Sequence, residues 1–522
     1  MFPYLQEVQN PSKKYNVVFR GLNYGEGTQD GEFAETHNLS TDQYPCITQR
    51  AARVSVKKYK KPTTLHSKGN LLVIDERFDE SGEPTGFADV FYGDNPDPIG
   101  EVTSGKKQTA TIGNYIVIFP DKKYYKVPTE DDKDGEFGSM EETYVQAGLV
   151  FTDSTITTKG EDFKFREGDA VKITGCSNGE NNKELIIRGV SAKVLTFYEN
   201  EFTAGTETGE VTLKRTVPDL DFICESNYRL WGTHGNTIYS SKFSDPLNFG
   251  VFDGLASDSY AIEVGSEGEF TGCIPYSSHI CFFKENTLHK LYGTKPSNFQ
   301  INTVNVYGVQ SGSERSMQIV NEQLLYKGVG GVYAYTGGIP DLISENFGNR
   351  RYSDAVACCD GEKYYISMKQ GEEWSLFTFD VMKNIWLRED DTQAVDMTFY
   401  DGKIYYIDGD GGLCYIDKDA DRAGIEWGAT FCTMNETINE RKGYSRFHLR
   451  MDLAEGSWIA VDIKTDNDLQ WQQVYTTHNE KAKTVSIPII PTRCDSIDIR
   501  LRGKGKCTIK TFIREFTTGS DV

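Results

Sequence analysis

The chain has 522 residues, with 56 Lys plus Arg against 77 Asp plus Glu, a formal net charge of −21 with His neutral. Hydrophobic residues make up 38% and aromatics 12%, which excludes a disordered chain. No apolar run approaches the about 18 residues of a membrane helix, the start MFPYLQEVQNPSKKYNVVFRG lacks the charged-then-apolar order of a secretory signal, and so acidic a surface is a poor general ligand for nucleic-acid phosphates.

From the N-terminus onward the chain reads as short alternating runs: YNVVF, ARVSV, NYIVIF, KYYKV, DAVKITG, ELIIRGV, EVTLKR, IAVDIKT, DIRLRG. They are β-branched or aromatic and bounded by Gly, Asn and Asp, the composition of strands and tight hairpins. The 50 Gly supply turns. Helical periodicity is nearly absent, so the predicted class is all-β.

Seven stretches share an apolar strand, a short polar turn and an aromatic-rich strand. Their landmarks are Leu71, Ile116, Leu230, Cys281, Leu325, Tyr365 and Tyr405, spaced 45, 114, 51, 44, 40 and 40 residues apart. A helix-free period of about 40–50 residues predicts β-propeller blades. Seven copies suggest about seven blades; the uneven spacing also accommodates six or eight, and unrelated antiparallel hairpins are the alternative. GGVYAYTGGIPDLIS predicts a strand ending on Tyr335, a turn through Gly337-Gly338 and a new strand after Pro340. FTFDVMKNIWLRED predicts two outer strands joined at Lys383-Asn384.

The gap of 114 exceeds one blade. It holds the acidic EDDKDGEFGSMEE (Glu130–Glu142), then FKFREGDAVKITG and further strands, which predict a small β-barrel of five or six strands inserted at the edge of one blade. After Asp421 the strands lengthen. WIAVDIKTD places Trp458, Ala460 and Asp462 on one face and Ile459, Val461 and Ile463 on the other, the alternation of a sandwich strand with one wet face. The expected domains are 1–129, an N-terminal segment with the first blades; 130–216, the inserted barrel; 217–424, the remaining blades; and 425–522, a C-terminal β-sandwich.

Chemistry is harder to find. The eleven Cys form no CxxC pair and read as small buried side chains, which favours assembly in a reducing cytoplasm. There is no GxSxG, HExxH or GxxxxGK[ST] motif, and the Gly-rich GLNYGEG (Gly21–Gly27) opens no helix. His234, His279 and His289 read as turn and strand-edge residues. IDGDGG and DKDADRAG resemble calcium loops, but the second has Gly428 where the twelfth-position Glu belongs, so both read as acidic turns. Trp374, Trp386 and Trp471 fall on alternating strands and read as core, with sugar binding as the alternative. No carboxylate pair stands out for glycoside hydrolysis. No catalytic, cofactor-binding or metal-binding residue is predicted, and no cofactor.

The stretch FRGLNYGEG…NLSTDQYPCITQRAAR, through Asn38, Leu39, Asp42, Tyr44, Pro45 and Arg50, resembles the opening of tailed-bacteriophage packaged-DNA stabilisation and tail-nozzle β-propeller proteins. NYRLWGTHGNTIYSSKFSDPLNF (Asn227–Phe249) and ICFFKENTLHKLYG (Ile280–Gly293) are similar to blades of that family, and PTRCDSIDIRLRGKGKCTIKTFIREF resembles the sandwich tails of phage tail proteins. The resemblance implies a non-enzymatic virion protein in the neck or tail, assembled in the host cytoplasm without membrane insertion. Its partners would be itself in a ring, taken as a homohexamer, together with portal or adaptor and other tail proteins, and transiently the DNA passing through. An acidic channel wall would let DNA slide rather than hold it. Glu130, Asp131, Asp132 and Asp134 are the candidates for channel-facing acids. The contrasting readings are a receptor- or glycan-binding tail protein, with or without polysaccharide-degrading activity, and an intracellular propeller scaffold, which the lack of WD or kelch signatures disfavours.

Overall fold

The computed structural model describes residues 10–130, 133–434, 436, 440–466, 468–481, 483–490 and 493–519. Among them there is no α-helix, only strands and four three-residue 3-10 turns. The chain divides into two compact units, Lys60–Glu314 and a second made from Met1–Tyr59 with Arg315–Val522.

The first unit holds four antiparallel meanders of four strands, opening at Pro62–Lys68, Gln108–Ile112, Phe222–Ser226 and Phe270–Tyr276. The second holds three more, opening at Gln318–Val320, Ser353–Cys359 and Ala394–Tyr400. All seven sequence landmarks fall on the second strand of a meander: Asn70–Phe78, Tyr115–Phe119, Arg229–His234, His279–Lys284, Gln323–Gly328, Lys363–Gln370 and Lys403–Asp408. These strands are buried on both faces over most of their length; His279–Lys284 is buried at every position. Burial on both faces accounts for apolar runs such as YIVIF and HICFF, the first of which was expected to alternate. The turns are where the sequence puts them: Gly331–Tyr335 is followed by Asp341–Leu342, and Glu373–Asp380 joins Ile385–Asp390 through Asn384 at φ 54°.

The seventh meander has only three strands of its own. Its fourth is Ala52–Lys58, which pairs antiparallel with Gly412–Asp417 from the other end of the chain. That pairing covers an edge that would otherwise expose unpaired backbone groups.

The insertion differs from expectation in two ways. Glu136–Ser139 is the fourth strand of the second meander, pairing with Lys123–Lys126, so the insertion starts at Glu142 rather than 130 and lies between two meanders instead of within one. It contains nine short strands through Glu210–Arg215, in separate sheets of four and five, rather than a five- or six-stranded barrel. Its core is built on Phe151, Val171, Ile173, Leu195 and Leu213. The strands are too short to have announced themselves; several are two or three residues long.

The sandwich also departs from expectation. It has sheets of seven and six strands, but five of these come from residues 12–49. Ser12–Asn16 pairs with the C-terminal strand Cys507–Gly519, and Glu32–His37 pairs with Glu426–Phe431. The N-terminal segment, expected to lead into the first blades, is therefore mostly sandwich. Phe33 and Phe431 meet at 4.9 Å between ring centres, and Phe431 stacks on Phe512 at 5.5 Å, so N- and C-terminal segments share one core. Asp462, expected on a wet face, is 1% exposed and accepts from Arg500 and Arg502 at 2.7 Å each. Trp386 is core, whereas Trp471 is only half-buried, with Arg500 4.5 Å from its ring centre.

Arg514 ties the same two ends together. It is fully buried, with Glu436 at 2.7 Å, Asp30 at 3.0 Å and the Asn16 side chain as partners. Removing one member of such a pair leaves an uncompensated buried charge. Arg514→Met is therefore expected to destabilise the protein by about 3–5 kcal/mol, measured as a fall in the urea midpoint at unchanged slope.

Candidate functional site

The residues that carry the family resemblance do structural work on one strap, residues 38–53. Asn38 stands at φ 55°, a left-handed conformation that Asn tolerates. Its N–H donates to the Glu389 carbonyl at 2.7 Å, its Nδ2 to the Glu426 carbonyl at 2.8 Å, and its Oδ1 accepts from Arg50 Nε at 2.6 Å. Leu39 enters the sandwich core. Thr41 Oγ1 donates to Asp380 at 2.6 Å, and Asp42 pairs with Lys363, which also donates to Ser40 Oγ at 2.9 Å. Arg53 Nη2 meets Glu389 at 2.8 Å and its Nη1 meets Asp390 at 2.5 Å. Burial pushes the Asp390 carboxyl up, but Arg53, Thr392 and Arg50 outweigh it and hold it below its ordinary range. The Gly-rich start has its own reason: Gly21 lies at φ 84°, and a Cβ there would come within 2.5 Å of Ile385 and of the Trp386 carbonyl.

The blade motif around Arg229 is architectural too. Arg229 is fully buried, and its guanidinium donates to the carbonyls of Ser241 at 2.8 Å, Ala256 at 2.7 Å and Asp258 at 2.6 Å. One cation thus organises the long loop between the third and fourth strands of the third meander.

The remaining residues singled out by sequence do not converge. Glu130 and Asp134 are exposed on the loop before Glu136–Ser139; Asp131 and Asp132 lie outside the described residues. Asp408, Asp417 and Asp421 accept backbone N–H groups two residues ahead, the Asx turns that explain their spacing. Among the described residues no group of three or more His, Cys, Asp or Glu could hold a metal ion. The eleven Cys form no disulfide. His234 is exposed and 3.1 Å from Asp221, while His279 and His289 sit on strands of the fourth meander.

Sequence reasoning missed two concave surfaces. A groove of about 290 Å³ lies between the insertion and the third meander, where Arg188 stacks 4.2 Å from the Tyr198 ring centre and pairs with Asp253 at 2.7 Å. A cavity of about 230 Å³ opens on the fifth meander beside Lys327. Single residues in turns carry no periodic signal that could have revealed either.

No protein-family model matches the sequence, and no curated protein matches it. Among solved structures, the chain is similar to BamB from Moraxella catarrhalis at 8% identity, covering 71% of this chain and 97% of that one with a TM-score of 0.34. It is similar to the acylaminoacyl peptidase of Pyrococcus horikoshii at 9%, covering 74% and 60% with a TM-score of 0.31. It is also similar to the exo-beta-1,3-galactanase of Phanerochaete chrysosporium at 8%, covering 55% and 92% with a TM-score of 0.22. Likenesses this distant carry nothing about activity.

His289 generates a pH prediction. It is 1% exposed, with Ser266 Oγ 2.8 Å from Nε2 and Thr303 Oγ1 2.8 Å from Nδ1. Burial, aided by the charge of Lys284, lowers its pKa to about 4. A folded value below the unfolded one means that the unfolded chain takes up the proton first as pH falls. Stability is then full above about 6.5 and is lost toward pH 4, by up to about 3 kcal/mol for this residue. NMR titration is expected to show His289 neutral at pH 5, and His289→Gln should flatten the acid limb of the stability curve.

Proposed function

We propose that this chain is a ring-forming structural subunit in the neck or tail of a tailed bacteriophage, continuing the DNA channel below the portal, retaining packaged DNA and attaching distal tail parts. In this reading the seven meanders are propeller blades, and Ala52–Lys58 is the strand with which the N-terminal segment completes the last of them. The chain assembles with itself, as a hexamer, and meets portal or adaptor and other tail proteins in the virion. It is not an enzyme.

The observation that carries the reading is the nature of the resembling residues. Asn38, Asp42, Arg50 and Arg229 all hold backbone or buried charge in place, and none lines a reactive constellation. A rigid β scaffold with an insertion between meanders and a sandwich built from both chain ends offers several dissimilar faces. A ring subunit needs that, because its lateral interfaces are heterologous and its two axial neighbours differ. The net charge of −21 suits a channel that DNA must pass without being held.

A second reading, a receptor- or glycan-binding tail protein, is favoured by the groove at Arg188, with its exposed Tyr198 and Phe252. Aromatic faces beside carboxylates and a guanidinium suit sugars.

Electron microscopy of the purified protein, and of virions labelled on it, separates the two. A closed ring at the capsid–tail junction is expected. A label confined to the distal tip, with binding on host polysaccharide arrays that is lost in Tyr198→Ala, would overturn the ring reading. In the ring, charge reversal by Glu130→Lys with Asp134→Lys should slow DNA ejection, and unchanged ejection would remove these residues from the channel wall.

A further inference from the structure

Residues 296–313 carry no charge, eighteen in succession in a chain of which 25% are charged. The run contains Gln300–Asn305, the fourth strand of the fourth meander. A fourth strand ends its sheet, so one row of its backbone N–H and C=O groups faces outward without a ladder partner. The other six meanders blunt that row. Gly100–Thr103, Glu136–Ser139 and Tyr260–Glu263 each carry a Glu, and Asp341–Leu342 is two residues long. Ile385–Asp390 carries Arg388, Glu389 and Asp390, and Ala52–Lys58 carries Arg53, Lys57 and Lys58. Charge and shortness keep a sheet edge from pairing with another chain. QINTVN has neither, and no proline; Gln300, Asn302, Thr303 and Asn305 are exposed.

The sandwich holds a counterpart. Its six-stranded sheet ends at Gln472–Thr477, whose sequence QQVYTT is again six residues, uncharged and without proline. Gln472, Gln473 and Thr476 are exposed, while Val474 and Tyr475 pack on the sandwich core. Among the described residues no strand pairs with the outer side of either edge. The seven-stranded sheet, by contrast, ends at Thr484–Pro488, with a proline on the strand and Lys483 beside it. An exposed apolar side chain stands close to each bare edge: Tyr307, 60% exposed, two residues after Asn305, and Leu469, 96% exposed, three residues before Gln472.

We propose that these two edges pair with each other between copies of the chain, Gln300–Asn305 of one forming a backbone ladder with Gln472–Thr477 of the next. A meander of one copy and a sandwich sheet of its neighbour then become one continuous sheet, the mode in which a strand adds to an exposed edge. The occupant is a second copy because of charge. Each copy carries −21, so copies repel, and like charges directly opposite across a strand pair are destabilising; this pairing puts none there. The contact joins two different surfaces, so it propagates head to tail into a ring or filament instead of closing as a two-fold dimer. The inference rests on the ring reading for self-assembly, and adds the strands through which one copy meets the next.

Light scattering on the purified full chain tests this with Asn302→Glu and Thr476→Glu, which give each bare edge the charge that other meander edges carry. The unaltered chain should assemble. Each variant alone should stay monomeric up to at least about tenfold the concentration at which the unaltered chain assembles, with an unchanged melting temperature. An equimolar mixture of the two should form a 1:1 dimer and grow no further, because each variant keeps the edge that the other has lost. A variant that had merely failed to fold could not form that dimer. Both variants assembling as the unaltered chain does would overturn the strand pairing and leave the ring reading standing. Either variant dimerising alone, or a mixture that stays monomeric, would also overturn the pairing of these two edges. An unaltered chain that remains monomeric would overturn the pairing and the ring reading together.

Discussion

The second unit depends on a buried cluster of charge on the strap, where Arg50 and Arg53 face Glu389 and Asp390. All four side chains are at most 16% exposed. Two cations and two anions at this depth are tolerable only together, because each would cost several kcal/mol alone. The cluster fixes where the N-terminal segment crosses the sixth meander. Everything before Asn38 can then join the sandwich, and Ala52–Lys58 is delivered to the open edge of the seventh meander.

That crossing solves two edge problems with one segment. A three-stranded meander and a sandwich lacking residues 12–49 would each expose backbone that pairs readily with other chains. The N-terminal segment through Lys58 supplies strands to both, and Arg514 fastens its first part at Asn16 and Asp30 from the sandwich side. The polar contacts of Asn38, Thr41 and Asp42 add directional bonds, so register is set by more than apolar burial. Residues of this kind look functional in a sequence because they are polar and specific, yet here their chemistry is spent on holding the fold.

The legible parts of the fold share a physical cause. The second strand of each meander is covered on both faces, so it becomes a dense apolar run, and seven such runs stand out at Leu71 through Tyr405. Alternation in Ile497–Lys504 was equally readable, because one face of that strand is core and the other is not. Glu136–Ser139 was not, since its Gly and acids match a linker and only pairing with Lys123–Lys126 makes it a strand. Asp462 misled by the same logic: alternation marks a polar residue as wet, but two arginines from the neighbouring strand cover it. Of the candidate acids, Glu130 and Asp134 are exposed on the loop before Glu136–Ser139. The cavity beside Lys327 was invisible because its cations, Lys327, Arg350 and Arg351, lie up to 24 positions apart, in a turn and a connector with no periodicity.

By itself the sequence determined the all-β class, the meander repeat, the turns within it and the absence of a recognisable catalytic motif. These are local properties, set by side-chain period and by the turn chemistry of Gly, Asn and Asp. Only the tertiary structure decided that residues 12–49 belong to the sandwich, that Ala52–Lys58 completes the seventh meander, and that three cations share one cavity. The first two outcomes rest on pairings between residues hundreds of positions apart, such as Thr48 with Thr508. Backbone pairing and buried charge leave no periodic trace in either partner, so they become visible only when the chain is folded.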